Sequence, residues 1–289
     1  MCRMSSSRKK GKDIKPPGPN QCHPSVGSTR PAIGCLPREI LEKVAKKLNL
    51  KPASGNAIRK QIEKTLDLDE GGEHTFLMEL PLSSSEKTDL KKKYLRPQQP
   101  QDWLKDNDKW LDSLNISAVM NQYEEAHPEF EFMGPFPIDF GAPNPYKTGP
   151  TNTSVCLMNE ICTLSVKDSI KNGTKYIGIV YNLDPHYESG SHWVANFIDL
   201  KKKVCVYFDS YGMKPPHQVE KFMKWLTTHD SDFKLHYSSR RLQYKNTECG
   251  MYSLYFIILM LDGNSLVDIS RSNPTDSDML KFRSWLYST

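Results

Sequence analysis

No C-x-x-C pair occurs in this 289-residue chain, no apolar run approaches the length of a membrane span, and no charged-then-apolar leader opens it. Each absence excludes a class. The seven cysteines (Cys2, Cys22, Cys35, Cys156, Cys162, Cys205, Cys249) are odd in number and scattered. That pattern argues against a disulfide framework and a zinc module, and for a reducing compartment where free thiols can act as nucleophiles. The longest apolar stretch, Leu254 to Leu261, is far short of the roughly 20 residues a bilayer requires. With neither leader nor span, the chain is expected inside the cell and not secreted. Cys22-His23 has no partner pair at zinc spacing, so no metal or other cofactor is expected.

Charge is unevenly spread. Residues 1–60 hold 14 Lys or Arg against three acids, a surplus of 11 that leaves residues 61–289 at −6 within the overall +5. A basic front on a mildly acidic body suggests DNA or another polyanion as a partner of the N-terminus, or simply a solubilising tail. Residues 1–34 are rich in Pro, Gly, Ser and Lys and poor in apolar side chains, and are expected to be disordered. Residues 35–100 read as a small helical arm. Leu36, Ile40, Leu41, Val44 and Leu48 recur at helical spacing, with Pro37 suited to the first turn. Ser54 can cap a second helix carrying Ala57, Ile58, Ile62 and Leu66. This pair loosely resembles the SAP type of DNA-binding module, though two short amphipathic helices are more often a packing arm. The polar stretch from Pro81 to Pro100 marks the boundary.

Residues 101–289 read as an α+β body. Asn115 can cap a helix striped by Ile116, Val119, Met120 and Tyr123, and Pro135 to Pro150 looks irregular. Strand patterns follow at Tyr176–Tyr181, His192–Leu200 and Val204–Asp209, then a helix around Val219 to Leu226. Gly250 to Leu261 is an almost wholly apolar helix that belongs in the core.

The Lys201-Lys202-Lys203 run reads as a solvated hairpin turn. A four-residue loop over Leu200–Lys203 would pair Asp199 with Val204, placing His192 opposite Tyr211 and diagonal to Asp209 on the same face. Such neighbours stand about 7–8 Å apart at the backbone, a gap that imidazole and carboxylate can bridge. A one-residue slip would separate them. Asp199 lies roughly 23 Å along the strand from His192 at about 3.3 Å per residue, and is eliminated as its partner. Cys249 opens the apolar helix, where the positive end of the helix dipole and a nearby imidazole favour the nucleophilic thiolate. A carboxylate would hold the imidazole's orientation, and the Cys249 N–H with the Gln243 amide could receive the acyl oxygen. Singly, each residue has a plainer reading: Asp209 as a turn former, Cys249 as a small buried hydrophobe, Gln243 as a loop polar group.

Together, His192-Trp193, Asp209, Gln243 and Cys249-Gly250 resemble the Ulp1/adenain-like cysteine protease clan, in which His, Asp, Gln and Cys follow in this order. The likeness covers roughly residues 102–289. Gly190 to Ala195, Thr247 to Leu254 and Thr275 to Arg283 are most similar to the viral branch, the maturation proteases of asfarviruses and other large DNA viruses. The asfarvirus enzyme has Asn as its third triad member, whereas Asp209 here follows the clan majority. The resemblance implies a mixed sheet flanked by helices, with the catalytic cysteine at the start of a buried helix. It implies a triad of Cys249, His192 and Asp209, Gln243 as oxyanion donor, and Trp193 as a wall of a narrow channel. The implied substrate is a viral precursor cut after Gly-Gly-type sites, in the host cytoplasm and the virion. A SUMO or ubiquitin-like deconjugase, and an inert protease-like scaffold, are the competing readings.

Overall fold

Short amphipathic segments build the arm. The computed structural model describes residues 22–27, 29–68, 72–148 and 154–288. Helix α1 (Arg38–Lys47) starts directly after Pro37 and buries Leu41, Val44 and Ala45 against Ile58 and Ile62 of α2 (Ala57–Thr65). The cap of α2 is Asn56, and Ser54 contributes only its carbonyl, which accepts from the Ala57 N–H at 3.2 Å. Two further helices follow, α3 (Glu73–Glu79) and α4 (Ser84–Tyr94), the second within the Pro81–Pro100 stretch whose polarity reads as the boundary. A reciprocal capping box between Ser83 and Glu86 starts α4, satisfying donors at the helix end that a polar sequence leaves no core to protect. Buried Glu73 receives Arg59 Nη1 at 2.9 Å on both oxygens and Arg30 Nε at 2.7 Å, so its charge is not left unpaired.

Two expectations are corrected here. Disorder was expected through Gly34, yet Cys22 and His23 are buried, and Cys22 bridges Leu95. The remainder of that expectation, residues 1–21, lies outside the described residues. The second correction concerns the thiols. Cys22 is disulfide-bonded to Cys35 and Cys156 to Cys162, while Cys205 and Cys249 are free. Tertiary contact, invisible in the spacing, brings Cys22 and Cys35 to a Cα separation of 5.1 Å.

Arg96 joins arm to body. It is almost fully buried, its carbonyl hydrogen-bonds His74 Nε2 at 3.0 Å, and its guanidinium lies 4.4 Å from the Trp285 ring centroid. The body opens with α5 (Ser113–Ala126), capped by Asp112 rather than Asn115, and buries the expected Ile116, Val119, Met120 and Tyr123. Then come β1 (Phe130–Pro137), β2 (Pro143–Thr148), β3 (Ser154–Cys156), α6 (Asn159–Cys162) and α7 (Val166–Lys171). The strands within Phe130–Thr148 replace part of the irregular stretch expected there. Next are β4 (Tyr176–Asn182), β5 (Trp193–Asp199), β6 (Val204–Phe208), α8 (His217–His229) and β7 (Lys234–Tyr237). The chain closes through α9 (Cys249–Leu261), α10 (Leu266–Ser272) and α11 (Asp276–Leu286).

The five-stranded sheet runs β1-β4-β5-β6-β7, with parallel outer pairs and antiparallel inner ones. It is therefore the mixed sheet of an α+β protein. Alternation along the strands feeds two cores. Ala195, Phe197, Val206 and Phe208 face α9, whereas Val194, Ile198, Cys205 and Tyr207 face α8. Helix α9 is enclosed almost all round, as its composition requires. Among the described residues no helix is long and apolar enough to cross a membrane.

Phe256 of α9 stacks on Phe208 with centroids 4.7 Å apart, and neither is exposed. Phe256→Ala should lower the unfolding free energy by about 3–5 kcal/mol, read from denaturant titration.

Candidate active site

The hairpin between β5 and β6 sets the site. Asp199 pairs with Val204 and Ala195 with Phe208, the register that a four-residue loop predicts. Asp199 is used in the turn itself, where its Oδ1 accepts the Lys202 N–H at 2.8 Å. The ladder stops at Ala195 and Phe208, so His192 and Asp209 lie just past the paired segment at one end of the sheet. Their backbones are nonetheless held. The His192 carbonyl accepts the Leu183 N–H at 2.9 Å, and the Asp209 carbonyl accepts the Gly212 N–H at 2.9 Å.

His192 Nε2 and Asp209 Oδ1 are 2.8 Å apart, with both residues buried. The same oxygen accepts the Tyr211 N–H at 2.8 Å. The Tyr211 ring stacks on the imidazole, centroids 4.6 Å apart and planes 19° from parallel. With Nε2 engaged by Asp209, Nδ1 is the nitrogen available to sulfur. Cys249 is the first residue of α9 and lies close enough to the imidazole to act on its charge. Burial alone would lower the His192 pKa, but the hydrogen bond to Asp209 and the influence of nearby Cys249 outweigh it and raise it to about 9. Cys205, the other free thiol among the described residues, sits in the core, where burial pushes its pKa up and away from reactivity.

Gln243 is wholly buried against the turn that carries Asp209. Its Oε1 accepts from Ser210 Oγ at 2.6 Å, and its Nε2 donates to the Lys245 carbonyl at 2.7 Å. Among the described residues no acceptor takes the second amide hydrogen. Trp193 belongs to the core, its Nε1–H donates to the Leu111 carbonyl at 2.8 Å, and it walls a cavity of about 440 Å³ with Trp110, Leu111 and Gly190. Leu111 also presses on the start of α9, since a Cβ on Gly250 would lie 3.0 Å from that of Leu111. One residue thus aligns the Trp193 wall with the Cys249 helix.

Sequence reasoning passed over Ser210 and gave Tyr211 only a register position, because Asp-Ser-Tyr-Gly reads as a turn. It also missed the buried pair beside the thiol. Glu248 lies 3.2 Å from Arg283 Nη2, and burial raises its pKa to about 7 despite the opposing guanidinium.

Because the folded imidazole titrates above its ordinary 6.5, this contribution to stability is complete below pH 6.5 and is lost as pH rises through about 9. An NMR titration of the His192 ring should therefore inflect near pH 9. In Asp209→Ala the inflection should fall, since burial then works with less opposition.

Comparison with known proteins agrees. The Ulp1 protease family, C-terminal catalytic domain, has a sequence profile that matches residues 172–288. The R355 protein of Acanthamoeba polyphaga mimivirus is 33% identical over 167 residues, covering 55% of this chain and 50% of that protein. A cysteine protease of African swine fever virus (isolate Tick/Malawi/Lil 20-1/1983) is 30% identical over 185 residues, covering 61% of this chain and 67% of that protein. The chain thus spans about half the length of the mimivirus relative and two thirds of this swine fever one. The crystal structure of an African swine fever virus protease superposes with a TM-score of 0.68 over 96% of this chain and 98% of that one, at 20% identity. That likeness establishes the shared fold, arm included. With the profile over the site and the swine fever relative matched across two thirds of its length, the chain belongs to the Ulp1 family of cysteine proteases.

Proposed function

We propose that the chain is a cysteine endopeptidase that cuts viral structural precursors after Gly-Gly-type sites during virion maturation. One observation carries the reading: a buried imidazole bonded to a carboxylate, with a thiol at a helix start close enough to act on its charge. Cys249 sulfur attacks the scissile carbonyl carbon, forming the C–S bond as the carbonyl electron pair moves onto oxygen. The Cys249 N–H and the Gln243 amide receive that oxyanion. The imidazolium of His192 then gives its proton to the leaving amine as the C–N bond breaks. Neutral His192 next takes a proton from water, which attacks the thioester and expels the thiolate. Asp209 fixes the ring throughout.

By the resemblance, Trp193 walls the channel that admits the substrate tail, where an indole would favour small side chains at the cut. The viral setting rests on the source organisms of the relatives. We place the enzyme in the host cytoplasm and the particle, with the basic N-terminus and arm contacting DNA or precursor protein there. Such an electrostatic contact weakens steeply as salt rises. A second reading, SUMO or ubiquitin-like deconjugation, keeps the chemistry and is favoured by the name of another relative, a SUMO-1 cysteine protease of African swine fever virus.

Mass spectrometry of candidate precursors digested by wild type and by Cys249→Ala should show Gly-Gly-X cleavage only with wild type. Gln243→Ala should lower kcat by about 10²–10³-fold. Capture of a C-terminally activated SUMO or ubiquitin probe without precursor cleavage would transfer the assignment to deconjugation.

A further inference from the structure

The turn formed by residues 209–212 touches the base and the amide loop at once. Asp209 holds His192, while the Ser210 carbonyl accepts the N–H groups of Leu242 at 2.8 Å and Gln243 at 3.0 Å. Gly212 has φ +74°, and a Cβ there would meet the Arg240 carbonyl carbon and the Arg241 nitrogen at 2.8 Å. Backbone of the amide loop therefore lies directly on the turn. Arg241 adds a further link, with Nε donating to the Gln243 carbonyl at 2.8 Å and its guanidinium 5.3 Å from the Tyr211 ring centroid.

Two side chains of the turn then decide how the Gln243 amide points. A backbone carbonyl only accepts, so the amide group facing the Lys245 oxygen at 2.7 Å must be the NH2. Its other end, Oε1, must accept, and Ser210 Oγ supplies the proton at 2.6 Å. The Lys245 carbonyl is itself anchored, because Tyr211 Oη donates to it at 3.2 Å. Each terminus of the amide thus has one partner, and both partners trace to adjacent residues of the turn that also positions His192. Flipping the amide would set its oxygen against a carbonyl and its NH2 against the Ser210 hydroxyl.

We propose that Ser210 and Tyr211 are positioning residues that lock the Gln243 amide with its free hydrogen directed at the acyl oxygen. The proposal rests on the proteolytic reading and extends it: base orientation and oxyanion donation are set by one structural unit. Ser210 acts on Oε1 directly, and Tyr211 acts through the Lys245 carbonyl while its ring buttresses the imidazole.

The test compares two probes of Cys249 in the full chain. A peptide aldehyde ending in Gly-glycinal forms a C–S bond and an oxyanion, whereas iodoacetamide loses iodide in a displacement that develops no oxyanion. Ser210→Ala and Tyr211→Phe should each weaken aldehyde binding by about tenfold, the scale of one lost hydrogen bond. Both should leave Cys249 alkylation at the wild-type rate and KM for a Gly-Gly-X peptide unchanged while kcat falls. Neither should add to the loss in Gln243→Ala, because the residues act through that amide. Wild-type aldehyde binding that survives both substitutions would overturn this proposal alone. Parallel losses of aldehyde binding and alkylation would overturn it too, by showing a general structural role. Wild-type protein that binds no aldehyde would remove the proteolytic reading and this proposal together.

Discussion

A hydrogen bond of 2.8 Å between His192 Nε2 and Asp209 Oδ1, formed out of contact with bulk water, is the constraint on which the rest of the site depends. Burial by itself favours a neutral imidazole, and it is the carboxylate and the thiol that make the charged form the stable one. The geometry is set far from the chemistry. The loop over Leu200–Lys203 fixes the register of β5 and β6, and a slip of one residue would send imidazole and carboxylate to opposite faces. The turn at one end of this hairpin thus fixes the imidazole and the carboxylate at the other.

Helix α9 brings the third member. It is apolar because it is surrounded by the sheet, α5 and α11, and that enclosure points its start at the end of the sheet where His192 lies. No side chain caps this helix, since its N-cap Glu248 turns inward to Arg283 of α11. The first-turn N–H groups are therefore left without a side-chain cap beside the thiol, which suits them to receive negative charge. Arg283 in turn stacks over Trp103, 4.4 Å from its centroid, so the segment linking arm to body contributes to the placement of Cys249.

Elements whose pattern reflects their own burial were readable from sequence. Strands β4, β5 and β6 and helix α9 announce themselves because the residues that alternate or cluster are those that pack. Helix α4 was not, because it buries none of its residues and depends on a capping box within a charged stretch. Strand β1 was obscured by Pro135 and Pro137, and its parallel partner β4 begins 46 residues after it does, at Tyr176 beside Phe130. The cysteine pairs were misread for a similar reason: proximity of Cys22 to Cys35 depends on how residues 22–27 return to the end of α4. At the site, His192, Asp209, Gln243 and Cys249 were visible as chemical types. Ser210 was not, because its importance comes from a hydroxyl placed beside an amide 33 residues away.

The central claim is that Cys249 owes its reactivity to the imidazole that Asp209 holds. The most direct measurement is the rate of iodoacetamide modification at each free cysteine, followed by mass spectrometry at neutral pH in wild type and in His192→Ala. The account predicts that Cys249 is modified far ahead of Cys205 and that this advantage collapses in His192→Ala. Equal rates at the two thiols, or an advantage at Cys249 untouched by loss of the imidazole, would contradict it.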